Sequence, residues 1–132
     1  MNPLTKREEL GFTCSIVLAD FHFWQNLNSY ISLLEEFLSK RISGKEFETR
    51  FYKMHAADAH VDPEWEELVY VVRNFNLANF EGITALMSEL FTACDSFESN
   101  CQLIDEGDLT EEELRDCVSK ILLKIRSQYI NN

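Results

Sequence analysis

Ten carboxylates fall between Arg73 and Arg115, and no Lys or Arg lies among them: Glu81, Glu89, Asp95, Glu98, Asp105, Glu106, Asp108, Glu111, Glu112 and Glu113. Such a block repels itself, and compact folding has to absorb that repulsion. The chemistry open to it is electrostatic, a negative field offered to a cationic partner. The plainer alternative is a solvated acidic face that keeps the chain soluble. Asp95 and Glu98 weigh against the plainer view. They lie three apart at the C-terminal end of an expected helix, where the macrodipole disfavours carboxylates. Acids placed where they lower helix stability hint at function.

Other chemistries find less material. His55 and His60 are five apart with Asp58 and Asp62 nearby. A helical metal site wants two histidines three or four apart on one face, so surface histidines are the simpler reading. A helical metalloenzyme would need the two to converge. Glu35–Glu36 and Glu66–Glu67 are adjacent pairs that point to different sides of their helices, not facing acid/base dyads. The chain has no GxSxG, no P-loop and no GxGxxG. No catalytic residue, metal site or cofactor is expected, and the protein does not read as an enzyme.

Composition narrows the class. At 132 residues, with 45% apolar residues and ten Phe, the chain is expected to be one domain with its own core. Four Gly and two Pro leave little for the turns of a sandwich or barrel. A net charge of −11 argues against direct contact with nucleic acid or an anionic membrane, both of which need clustered Lys and Arg. Cys14, Cys94, Cys101 and Cys117 show no CxxC, and Cys94 and Cys117 sit on apolar stripes. They read as reduced thiols in a cytosolic protein. Glu8 and Glu9 follow Lys6 and Arg7, which spoils a signal-peptide start, and no apolar run is long enough to span a bilayer.

The elements that must position the acids follow from periodicity. Residues 1–26 are ambiguous. Cys14, Ile16 and Leu18 alternate like a strand, whereas Phe12, Ile16, Val17, Ala19 and Phe23 fit a helix loosely. A short helix patching the core of the main domain, residues 27–130, is expected. Leu27, Tyr30, Ile31, Leu34, Phe37 and Leu38 mark an amphipathic helix ending near Arg41. Ser43 and Glu46 form a capping box that opens a helix running to about Ala59. Asp62 as cap and Pro63 at the first helical position restart the chain, with Trp65, Leu68, Val69, Val72 and Phe75 as the stripe. After a break at 76–79, Phe80, Ile83, Leu86, Met87, Leu90, Phe91, Cys94 and Phe97 trace one face, with Gly82 in the first turn. Thr110 and Glu113 make a second box, and Leu114, Cys117, Val118, Ile121, Leu122 and Ile125 the last stripe. The sum is an all-α antiparallel four-helix bundle with an extra N-terminal segment.

At two blocks the sequence resembles the colicin D-type immunity proteins, bacterial proteins that bind and silence a cognate toxin. One block is residues 31–47, a helix, a turn and a capped second helix. The other is Leu90-Phe91-Thr92-Ala93-Cys94-Asp95-Ser96-Phe97-Glu98, continuing through Asp108 to the helix opening at 110–114. Together they span about residues 29–126, leaving the first 26 residues and the segment around Trp65 outside the best match. The resemblance implies a four-helix bundle whose acids face the basic active-site region of a tRNA-cleaving nuclease domain. It places the toxin contacts in and just after the acid-x-Phe-Glu segment, which Asp95, Phe97 and Glu98 match, with Phe97 packing inward. Two positions on, where the family can carry Asp, this chain has Asn100, which keeps the hydrogen bonding without the charge.

The expectation is therefore a cytosolic immunity protein that silences a nuclease toxin delivered as a colicin or by contact-dependent inhibition. Its acidic face would mimic tRNA. Asp95, Glu98, Asn100, Asp105, Glu106 and Asp108 would meet the toxin, with Glu111 and Glu112 at the rim or serving as helix-start charges. The rival is an acidic helical adaptor docking on a basic host protein, which a toxin gene directly upstream would argue against.

Overall fold

The computed structural model describes residues 6–59, 62, 64–100 and 102–130, with side chains from Cys14 onward. The expected all-α class is met. Six helices follow in order among the described residues: α1 (Lys6–Gln25), α2 (Leu27–Leu38), α3 (Gly44–Ala59), α4 (Trp65–Asn74), α5 (Ile83–Ser96) and α6 (Glu111–Ile125). A 3-10 turn (Leu77–Asn79) precedes α5 and a π-helical turn (Arg126–Ile130) follows α6.

Helices α2, α3, α5 and α6 surround the larger core and alternate in direction, as their end contacts record. Phe37, near the end of α2, stacks on Phe47 near the start of α3 at 4.6 Å between ring centroids. Tyr30, early in α2, bonds Asp58 at the end of α3 at 2.7 Å. Gly44 at the start of α3 lies against Phe97 after α5, while His55 lies 5.0 Å from Phe91 half-way along. Glu89 of α5 pairs with Lys124 of α6 at 3.3 Å. Phe23, Tyr30, Phe37, Phe47, Phe51, Met87 and Leu90 are fully buried in this core. Each such side chain stabilises the fold by roughly 1.5–3 kcal/mol.

The N-terminal segment and α4 both depart from expectation. The N-terminal segment is not a short helix but one of 20 residues. It lacks a single stripe because it has two partners. Ala19 and Phe23 enter the larger core, while Cys14, Leu18 and Phe21 join a second cluster with Val71 and Phe80. That second cluster is α1 packed against α4 and against Phe80 after the 3-10 turn, and the His22–Glu67 pair at 2.5 Å ties the two helices further. Only Val71 of α4 is buried, so the stripe expected to face the core instead runs along its edge. Trp65, at 53% exposure, Val69 and Val72 are open to solvent. Asp62 is not the cap of α4. Glu64 holds that place in extended conformation, with φ −120° and ψ 102°. Pro63 and His60 lie outside the described residues.

Elsewhere local signals decide the ends. Ser43 Oγ accepts from the Glu46 amide at 3.1 Å, half of the expected box. At Thr110 and Glu113 both halves form. α2 stops at Leu38, three residues early, because Lys40 turns left-handed at φ 65°.

Gly82 is not inside the first turn of α5 but caps it, at φ +86°. A residue without a side chain cannot cap with one, and the acceptor comes from α1. Asp20, only 6% exposed, accepts from the Gly82 and Thr84 amides at 3.2 and 2.8 Å and from the Thr84 hydroxyl at 2.5 Å. The charge at Asp20 thus anchors α1 to the start of α5.

Candidate functional site

The acidic candidates gather where α5 ends, α3 begins and α6 begins. A parallel bridge between Phe97 and Leu109 closes the segment between them. Glu98 N–H donates to the Leu109 carbonyl at 3.1 Å, and Leu109 N–H to the Ser96 carbonyl at 2.7 Å. The described residues between Glu98 and Asp108 therefore form a lobe with pinned ends. Within it, Glu98 accepts from the Asn100 amide at 2.9 Å, Asn100 from the Gln102 amide at 2.9 Å, and Asp108 from the Asp105 amide at 3.0 Å. Side chains bonding the backbone two or three residues away hold such turns without a helix or strand. Gly107, at φ +93°, supplies the left-handed residue of the last turn.

The corner is fastened at Gly44. Its amide donates to Glu111 Oε1 at 2.5 Å, satisfying one of the free donors at the α3 N-terminus. The Phe97 ring closes over the same spot. A Cβ on Gly44 would stand 2.7 Å from Phe97 Cζ and 2.8 Å from Glu111 Oε1, so any side chain there would have to displace Phe97 or Glu111. Arg115 holds the other oxygen of Glu111 at 3.0 Å and Glu112 at 2.6 Å. Its guanidinium lies 4.9 Å from the centroid of the Phe37 ring.

The eight candidates thus divide by their partners. Glu111 and Glu112 are committed to Arg115, and Glu111 to α3 as well. Asp95, Asp105 and Glu106 are exposed, and Glu98 and Asp108 half-buried. None of these five takes part in an ion pair among the described residues. With Asn100, they form a run of acceptors in which Glu98, Asn100 and Asp108 bond neighbouring backbone amides. An arrangement of this kind leaves its negative field open to solvent and favours a cationic partner.

One adjoining feature escaped the sequence reading. Phe91 was expected on the buried face of α5, yet it is 40% exposed. The core takes the arc of α5 spanned by Leu86, Met87, Leu90, Ala93 and Cys94, and at about 100° per residue Phe91 falls just outside that arc. Leu90 takes the core, and Phe91 instead meets Tyr52 of α3 at 5.2 Å in an open groove of about 590 Å³ that also includes Glu48, His55 and Asp95.

Beneath that groove Cys94 is a buried free thiol, as is Cys14 in the second cluster; Cys117 is half-buried, and Cys101 lies outside the described residues. Burial, then Glu48, pushes the Cys94 thiol up to about 12. Burial also raises the Tyr30 phenol, bonded to Asp58, well above its ordinary range, and raises Tyr129 in direction. Cys94 and Tyr30 therefore ionise later in the fold than in the unfolded chain, where the thiol ionises from about 9.0 and the phenol from about 10.0, and Tyr129 is shifted the same way. Their stabilisation is complete below those values and lost as pH rises through and beyond them. The urea midpoint is expected to hold steady below about pH 9 and to fall from there toward pH 12. A midpoint that stays flat to pH 11 would contradict this.

No group of His, Cys, Asp and Glu among the described residues is placed to hold a metal ion, and no helix among them is long and apolar enough to cross a membrane. Neither a curated protein nor a solved structure matches the chain. A family does, over residues 26–125, a span that takes in α4 and Trp65 as well as both blocks of the earlier resemblance. That span also contains the whole acidic corner and the helices that hold it. The chain belongs to the bacterial self-protective colicin-like immunity family, whose members are inhibitors, and so neutralises a toxin.

Proposed function

We propose that the toxin is a tRNA-cleaving nuclease, and that this protein blocks it by setting the acidic corner against its basic substrate site. Asp95, Glu98, Asn100, Asp105, Glu106 and Asp108 make the contact, with Glu112 at the rim and Glu111 holding the corner in place. Carboxylates spaced along a closed lobe resemble a short length of polyanion, and a site built to grip phosphates accepts them in its place. The complex forms in the cytosol, where tRNA is.

The observation that carries this reading is the run of five carboxylates without an internal cation, at a corner that the Gly44–Glu111–Arg115 contacts fix. Preorganised charge speeds encounter and sets register, while apolar contacts supply affinity. The test is rescue. The nuclease domain encoded next to this chain's gene is expressed in sensitive cells with and without the protein. Growth with intact tRNA is the expected result, and death with cleaved tRNA despite soluble, folded protein would overturn the pairing.

A further inference from the structure

The groove between α3 and α5 has a composition that the acidic corner alone does not explain. Glu48, Tyr52 and His55 follow one another at four- and three-residue steps on α3, which places them on one face. Phe91 and Asp95 do the same on α5. Because the two helices run in opposite directions, Glu48 and Asp95 come at the corner end and Tyr52, His55 and Phe91 further along. The aromatic rings pack on one another at 5.0 Å for His55 and Phe91 and 5.2 Å for Tyr52 and Phe91, so they form a braced wall. Phe91 nevertheless leaves 40% of its surface in water. Neither Glu48 nor Asp95 has an ion-pair partner among the described residues.

We infer that this groove receives an arginine side chain of the toxin, with its guanidinium stacked on Phe91 and Tyr52 and its charge shared between Glu48 and Asp95. The inference rests on the reading above that the partner is a basic nuclease. Charge complementarity selects the occupant. A second copy of a chain with net charge −11 would bring like charges together, whereas a phosphate-gripping domain offers arginines. An arginine is favoured over a lysine because its planar guanidinium both stacks on aromatic faces and spreads its donors toward two carboxylates. The Tyr52 phenol carries an imprint of the same field. It is pushed up to about 12, by burial first and then by Cys94, Glu48 and Asp95. A guanidinium placed there would cover the exposed face of Phe91 and meet two acids at once, and a cation–π contact strengthens as water is displaced from it.

Calorimetric titration of the intact protein with the nuclease domain encoded beside its gene tests this. Phe91→Leu and Glu48→Gln are compared with the unaltered chain, each checked by circular dichroism and thermal melting. Both side chains lie at the surface of the groove, so both variants are expected to fold. Each is expected to weaken binding about tenfold, with Phe91→Trp restoring it. On the toxin side, substituting Ala for one arginine at a time should reveal one whose loss abolishes the effect of Phe91→Leu. If the unaltered chain binds and both variants bind equally well, the groove is excluded while the acidic-corner reading stands. Should the unaltered chain fail to bind, both readings fall together. Weakening by Phe91→Leu that no toxin arginine accounts for would overturn the choice of occupant.

Discussion

Reversing Asp95 and Glu98 together, as D95K/E98K, is expected to weaken toxin binding by about 3–5 kcal/mol, roughly a hundred- to several-thousand-fold. Each substitution removes an attraction and introduces a repulsion against the same cations. The fold should not suffer in proportion. Asp95 is exposed and in the last turn of α5, where a cation suits the helix dipole better than an anion by about 0.3–1 kcal/mol. Glu98 contributes one bond to the Asn100 amide, and that loss offsets part of the gain. The expected signature is therefore binding that collapses while the melting temperature barely moves. Such a separation is what function at the expense of stability looks like. Unchanged affinity in a folded double variant would remove both residues from the interface.

Replacing Asp20 with Ala is expected to destabilise the fold by about 2–4 kcal/mol. The carboxylate caps α5 from another helix and accepts three donors, two of them backbone amides. Loss of a cap costs about 0.5–2 kcal/mol, and a buried donor left without an acceptor about 1–3 kcal/mol. Gly82 cannot compensate, having no side chain of its own. Asp20→Asn keeps one oxygen and should lose about half as much. Urea denaturation monitored by tryptophan fluorescence reads both. An Asp20→Ala loss below about 0.5 kcal/mol would mean that water takes over the capping.

These two residues also mark what the sequence could and could not convey. Asp95 and Glu98 drew notice because they violate a local rule, the preference of helix ends, and local rules are legible in a sequence. The same holds for the capping box at Thr110 and Glu113, which forms in full, and for the end of α3 at Ala59. Asp20 was opaque. In sequence it breaks an apolar run, whereas in the fold it is the point where α1 grips α5 across 62 residues of chain. α1 resisted periodicity for a related reason, since a helix buried from two sides has no polar stripe to define it. α4 misled in the opposite sense, because its stripe lies at the edge of a two-helix contact and stays largely in solvent. Phe91 was hidden by Leu90 beside it. Of the candidate site, composition and spacing revealed the acids. That Arg115 neutralises Glu111 and Glu112 follows from their three- and four-residue spacing on α6, but that Glu111 also holds the Gly44 amide of α3 depends on how helix ends meet, and no single segment encodes that.

The bridge between Phe97 and Leu109 has an evolutionary corollary. Because both ends of the lobe are pinned to the bundle, the residues between them contribute little to the core and can be exchanged as a cassette. Lengthening a loop whose ends are already joined costs little, about 0.6 kcal/mol for each doubling of its length. A lineage facing a new toxin can therefore rewrite the lobe's charges and extend it without refolding the helices that carry it. Diversification would then concentrate between Glu98 and Asp108, with Gly44, Phe97 and Arg115 as the frame that each new version inherits.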